Sequence, residues 1–224
     1  MDEVKLPITV NCEREMRPIK MFRGVACREG TFDEFVVKEI KHAYGDLNVR
    51  DRTVMDIGAN IGAATLHFLE NGAEKVVAVE PENSNFECLS YNTADYRNVV
   101  LIHGCVDAEA GETTIYLVPK GRNLGNTSQY FRRGRKGTRS VSFAFRDLLE
   151  EYRPQALKVD CEGAEFSFLN GCELPSFVDD VVMELHLRDF PGKGKELAET
   201  FSNWEAVRPP NFKSYMATLT HWRR

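Results

Sequence analysis

The chain has 224 residues, 42% of them hydrophobic, with 34 acidic against 29 basic side chains and a formal net charge of −5. That length suits one α/β domain with a full core, and the acidic balance argues against a general nucleic-acid binder, which is normally basic. No run approaches the roughly eighteen consecutive apolar residues of a membrane span, and Met1 to Lys5 carries acids where a signal peptide carries bases, so a cytoplasmic protein without membrane attachment is expected. The six cysteines contain no C-x-x-C pair; reduced, mostly buried thiols are expected rather than a zinc site or a disulfide framework.

Residues 1–30 read as an N-terminal extension, a cover or hairpin in which Val4, Leu6, Ile8 and Val10 alternate as in a strand and Ile19, Met21 and Phe22 pair with them. A single domain over residues 31–224 then begins with a helix from Thr31 to Tyr44, whose stripe is Phe32, Phe35, Val36 and Ile40 and whose cap is Thr31 or Asp33. Its acids read as a solvated face.

Thr53 to Ile57 is a β-branched and apolar run, and at Ile61 the spacing turns helical through Ala64 and Phe68 until Asn71 and Gly72. Between them lies D-I-G-A-N-I-G, Asp56 to Gly62. Glycines at a strand-to-helix switch let the backbone turn tightly and approach a ligand. A dinucleotide fingerprint would place a glycine where Asn60 stands, and the Asp56 carboxylate would repel a phosphate. A second strand, Val76 to Val79, ends in Glu80 and Pro81, and an acid at that point is the usual partner of a ribose diol. A nucleoside carrying an amino-acid ammonium group suits both acids.

A helix from Glu82 to Tyr96 and a third strand, Val99 to His103, come next, then Gly104 to Asp107 and an additional strand from Thr113 to Val118. Pro119 to Arg139 reads as a long loop bearing Arg132, Arg133, Arg135, Lys136 and Arg139 without an acid among them, either solvated or a grip for an anionic substrate. Val141 to Phe145 alternates as a strand, and Asp147 to Tyr152 forms a helical turn or two. Ala156 to Asp160 and Val181 to Leu187 read as core strands, yet Lys158 and Asp160 share a face of the first, and Glu184 and His186 a face of the second. Charges in strands covered on both faces are costly unless matched by a ligand or by each other, so these residues mark a site. Ala164 to Leu169 and Leu197 to Phe201 are helical; Pro209 and Pro210 precede a last strand, Tyr215 to Trp222, in an antiparallel edge.

DIGANIG, the V-E-P of Val79 to Pro81, K-V-D-C-E-G-A-E from Lys158 to Glu165 and V-M-E-L-H from Val182 to His186 together resemble the FkbM-type family of class I S-adenosylmethionine-dependent methyltransferases, over about Thr31 to Leu187. The resemblance implies an α/β fold with a doubly wound, mostly parallel, seven-stranded Rossmann-like sheet, the first helix lying over the cofactor mouth. It implies S-adenosylmethionine as cofactor, with Asp56 at the methionine ammonium directly or through water, and Gly58, Ala59 and Gly62 as the backbone surface beneath. Asn60 would fix the turn, Glu80 beside Pro81 would take the ribose hydroxyls, and Cys105 and Val106 the adenine.

Asp160, at the cofactor as well, would face the acceptor together with Glu162, Glu165, Glu184 and His186, with Lys158 as a further catalytic residue and Glu165 alternatively a cap of the helix that follows it. His186 is the expected general base, since its ordinary pKa lies near neutrality, with Asp160 the alternative. Asp160 with Glu184 could instead bind Mg²⁺ and activate a hydroxyl. The expected activity is methyl transfer to a hydroxyl of a small-molecule or carbohydrate acceptor. Two other readings stay open: an RNA ribose or cap 2′-O-methyltransferase gripping phosphates with Arg132, Arg133 and Arg135, and a non-catalytic cofactor-binding partner subunit.

Overall fold

In a computed structural model of the protein, the described residues are 10–12, 15–17, 19–117, 129, 136–188, 190, 192–214 and 217–224. Two hairpins come first, β1 (Val10–Cys12) with β2 (Glu15–Arg17) and β3 (Ile19–Phe22) with β4 (Val25–Arg28). Residues Val4 to Ile8 of the expected first strand lie outside the described residues, and β3 pairs locally with β4. Arg23 and Gly24 at φ +51° and +81° close that two-residue turn, whose hand needs positive φ at both places. Helix α1 (Asp33–Tyr44) follows with Phe32, not Thr31 or Asp33, at its N-cap. The Asp33 carboxylate is inside the first turn and is taken by the Arg28 guanidinium; Thr31 Oγ1 does accept the Asp33 N–H at 3.2 Å.

The chain then alternates. β5 (Thr53–Ile57), α2 (Ala63–Glu70), β6 (Lys75–Glu80), α3 (Asn83–Asn92) and β7 (Val99–His103) lead to β8 (Cys105–Asp107), β9 (Gly111–Leu117) and β10 (Lys136–Ala144). After these come α4 (Phe145–Tyr152), β11 (Ala156–Val159), α5 (Glu165–Phe168), β12 (Asp180–Leu185), α6 (Lys193–Thr200), β13 (Glu205–Arg208) and β14 (Thr218–Arg223).

The main sheet has seven strands in the order β13-β14-β12-β11-β5-β6-β7, with β7, β6, β5, β11 and β12 parallel and β14 antiparallel to both of its neighbours. This is the doubly wound, mostly parallel α/β sheet that the family resemblance implied. Both faces are covered, which is why the central strands read as continuous apolar runs. Met55, Ile57, Val77, Val79, Leu157 and Met183 face Phe145, Phe166 and Leu197 on one side. Val54, Val76, Ala156 and Val182 face Ile40, Leu66 and Phe68 on the other. The strand order reverses between β5 and β11, and a ligand crevice opens beyond the carboxyl ends at such a point.

Several boundaries differ from expectation. Helix α3 stops at Asn92 rather than Tyr96, and Pro81 stands outside it, because Glu82 is the N-cap and its carboxylate accepts the Asn85 N–H at 2.7 Å. Cys105 and Val106 belong to strand β8 of a three-stranded sheet, β8-β10-β9. Lys136 and Arg139 are in β10, opposite Leu117 and Thr114, not in a loop. Arg132, Arg133 and Arg135 lie outside the described residues. β12 ends at Leu185, so His186 follows the strand rather than belonging to it. Among the described residues no helix is long and apolar enough to cross a membrane.

Candidate active site

Beyond the carboxyl ends of β5, β6, β11 and β12 lies a cavity of about 760 Å³, roofed by Phe32, Phe35, Val36, Glu39, Ile40, Ala43 and Tyr44 of the α1 region. Its floor begins at the glycine turn. Gly58 has φ +78°, and a Cβ there would lie 1.8 Å from the Asp160 carbonyl oxygen, so only glycine lets the ends of β5 and β11 come this close. The turn's amides are occupied internally: Gly58 and Ala59 donate to the Val79 carbonyl, both at 3.0 Å, and Asn60 donates to Glu80 Oε2 at 2.8 Å. These groups cannot cradle a phosphate as a dinucleotide loop does.

Glu80 is 5% exposed, lines the cavity, and accepts also from the Glu82 N–H at 2.9 Å and the Asn85 amide at 3.2 Å. Burial raises its carboxyl to about 7, against the pull of those hydrogen bonds. Asn60, also lining the cavity, has its Oδ1 buried without a hydrogen-bond partner. An orphaned buried acceptor beside a ribose-type acid fits a ligand that brings its own donors, as the ammonium and hydroxyls of S-adenosylmethionine would. Pro81, Ala59, Cys105 and Val106 line the same end; burial pushes the Cys105 thiol up to about 12, so it stays neutral.

Asp56 is not at the cavity. It is fully buried, accepts from Thr65 Oγ1 at 2.7 Å, and pairs with Lys158 Nζ at 3.0 Å, its direct neighbour across the β5–β11 ladder. The expected contact between Asp56 and a methionine ammonium is therefore corrected: its charge is already matched inside the sheet. Lys158, expected as a catalytic residue, turns its ammonium to Asp56 and to the Gly58 carbonyl at 2.6 Å. Burial opposes its charge, but Asp56 and Asp160 hold its pKa above the ordinary lysine value. Gly62, at φ +86°, likewise packs against Leu89 below the cavity.

The acceptor end gathers side chains from three elements. Tyr44, at the end of α1, donates its hydroxyl to Asp160 Oδ2 at 2.9 Å. His186 Nδ1 lies 3.2 Å from Glu165 Oε1, and its Nε2 lies 3.5 Å from Glu162 and 4.0 Å from Asp160. Burial disfavours the His186 charge, yet Glu165, Glu162 and Asp160 outweigh it and raise the ring to about 10. That upward shift disfavours the expected role of general base, which needs an unprotonated ring near neutral pH. Glu165 is corrected too: fully buried, it accepts from the backbone N–H of Gly163 and of His186 and serves as the partner of the imidazolium, not as a substrate contact.

At this end it is the Glu184 carboxyl that is raised, to about 7, by the neighbouring Asp160 charge and then by burial. Asp160, Glu184 and His186 also offer ligand atoms all within 4.8 Å of one another, a set able to take a divalent cation. Tyr44 escaped the sequence reading; its one signal was that a tyrosine closing a helix's apolar stripe is buried and needs a partner for its hydroxyl.

These shifts give stability an unusual pH dependence. Glu80 and Glu184 hold protons more tightly when folded, so their contribution is full below their ordinary 4.5 and lost as pH rises to about 7. His186 contributes fully below its ordinary 6.5 and loses that contribution as pH rises through about 10. All three act in one direction, and the thermal midpoint of the ligand-free protein is expected to fall steadily between pH 5 and pH 10. Scanning calorimetry across that range checks this; the Glu184→Gln variant should flatten the segment below pH 7.

The model of the methyltransferase FkbM domain matches residues 56–217. Protein 158B of Sulfolobus islandicus rod-shaped virus 1 is 36% identical over 58 residues, which are 23% of this chain; the match spans 37% of the viral protein's length. Among solved structures, the SAM-dependent methyltransferase from Agrobacterium tumefaciens has 13% identity and a TM-score of 0.49, over 92% of this chain and 69% of that one. The precorrin-6y C5,15-methyltransferase from Geobacter metallireducens GS-15 has 13% identity and a TM-score of 0.48, over 88% and 92%. At such identities these two likenesses concern the fold alone. With the family match covering most of the chain, the chain belongs to the FkbM family of methyltransferases, which implies S-adenosylmethionine as its methyl donor.

Proposed function

We propose that the protein transfers the methyl group of S-adenosylmethionine to a hydroxyl of a small-molecule or carbohydrate acceptor. The observation that carries this reading is one cavity with two chemically distinct ends: Glu80 and the unpartnered Asn60 Oδ1 at one, and Glu184 beside Asp160 at the other. When bound, the cofactor supplies a methyl group made electrophilic by its sulfonium; the protein's task is alignment of the acceptor, worth on the order of 7 to 11 kcal/mol. Glu80 takes the ribose hydroxyls, and Asn60 accepts from the ammonium in place of the sealed Asp56. Cys105 and Val106 flank the adenine.

At the acceptor end Glu184 receives the hydroxyl proton. A base whose pKa lies near the working pH is both ionised and basic enough to accept one, which contributes roughly a hundredfold to ten-thousandfold. Asp160, held by Tyr44, keeps that pKa high and orients the acceptor, and Glu162 supplies a further acceptor atom at the rim. His186 stands as a fixed cation that offsets the surrounding carboxylates.

The test is transfer of labelled methyl from S-adenosylmethionine into cell extract separated into RNA, protein, carbohydrate and small-molecule pools, with and without EDTA. Label in the carbohydrate or small-molecule pool is expected. Loss of that label with EDTA would recast Asp160, Glu184 and His186 as ligands of a divalent ion. Nuclease-sensitive label would overturn the proposed acceptor class in favour of RNA.

A further inference from the structure

Arg28 closes strand β4, ahead of the family-matched residues 56–217, and is only 2% exposed. A buried guanidinium is costly unless its donors are paired. Here Nε and Nη2 reach the Asp33 carboxylate at 2.9 and 3.0 Å, Nη1 reaches Ser84 Oγ at 2.9 Å, and Nη2 reaches Asn85 Oδ1 at 2.8 Å. Asp33 is the main counter-charge, with the Glu82 carboxylate adding to it. The bonds to Ser84 and Asn85 have a different consequence, because both residues lead on to Glu80.

Ser84 donates to Glu82 Oε2 at 2.7 Å, the oxygen that accepts the Asn85 N–H. The Glu82 N–H and the Asn85 Nδ2 both donate to Glu80 Oε1, at 2.9 and 3.2 Å. An asparagine amide has one acceptor side and one donor side. With its oxygen held by Arg28, Asn85 must turn its NH₂ toward Glu80. Lysine, whose three donors sit on one nitrogen, could neutralise Asp33 but lacks the spread of the guanidinium fork that reaches Ser84 and Asn85 as well.

We infer that Arg28 is a positioning residue for the cofactor: through Ser84 and Asn85 it orients the Glu80 carboxylate, which makes the hairpin before the family-matched region a structural part of the cofactor site. This rests on the reading that Glu80 meets the ribose hydroxyls of S-adenosylmethionine.

The test is the affinity of the full chain for S-adenosylhomocysteine by titration calorimetry, alongside thermal midpoints, for wild type, Arg28→Lys, Ser84→Ala, their double variant and Val25→Ala. Val25 is buried in the same strand, and its truncation loosens the hairpin without touching the network. Arg28→Lys is expected to raise Kd about tenfold and Ser84→Ala about threefold. The double variant should bind little worse than Arg28→Lys, since both changes cut one route. Val25→Ala should bind as wild type.

An unchanged Kd in Arg28→Lys overturns the inference, as does a Val25→Ala protein that loses as much affinity for the same fall in midpoint. Should Arg28→Lys fail to fold, Ser84→Ala against Val25→Ala decides in the same way. A wild-type protein that binds no S-adenosylhomocysteine removes the cofactor reading and this inference together, whereas binding that is indifferent to every variant removes the inference alone.

Discussion

Glu184→Gln is expected to slow methyl transfer by about a hundredfold to ten-thousandfold at neutral pH, with S-adenosylhomocysteine affinity unchanged. The amide is nearly isosteric but cannot take a proton, and Glu184 sits at the acceptor end, away from Glu80 and Asn60. The wild-type rate should rise with pH as Glu184 ionises and level off above about 7. Asp160→Asn should move that rise to lower pH, because the Asp160 charge is the first cause of the raised value. A Glu184→Gln protein with wild-type turnover would sink the assignment of the base. So would a pH profile that does not respond to Asp160→Asn.

The second large effect concerns the charge pair inside the sheet. Lys158→Met is expected to destabilise the fold by about 3–5 kcal/mol, because it leaves Asp56 fully buried with only the Thr65 hydroxyl as partner. The Asp56→Asn/Lys158→Met double variant should recover most of the loss, since it removes the charge and keeps an oxygen to accept from Thr65. Chemical denaturation of the four proteins of this cycle measures it. Were Lys158 a catalytic group with little structural role, Lys158→Met would keep its stability and lose turnover. The geometry predicts the reverse order, stability first, with any activity loss following from the freed Gly58 carbonyl.

The anomaly that exposed the site was legible, but its partners were not. Lys158, Asp160, Glu184 and His186 stood out because charges break the apolar pattern of buried strands. Facing alone grouped Lys158 with Asp160, whereas the ladder sets Lys158 beside Asp56. A residue's cross-strand neighbour depends on strand order and register, which no local pattern contains. The same gap explains His186. An isolated imidazole suits a general base, but three carboxylates from Asp160, Glu162 and Glu165 surround this one and favour its protonated form. Tyr44 reaches Asp160 across 116 positions of sequence, a contact that only packing of α1 over the sheet creates.

By itself, then, the sequence determined the elements whose cause is local. Apolar runs made the parallel strands, the D-I-G-A-N-I-G turn demanded glycine at positive φ, and Glu80 stood out as an acid at a strand end, where it lines the cavity. The tertiary structure decided which charges meet. It sealed Asp56 with Lys158, turned Glu165 into the partner of His186, left Asn60 Oδ1 open, and brought Asp160 close enough to Glu184 to raise its pKa. Charge interactions reach across space with a strength set by burial and distance, and both are properties of the folded chain alone.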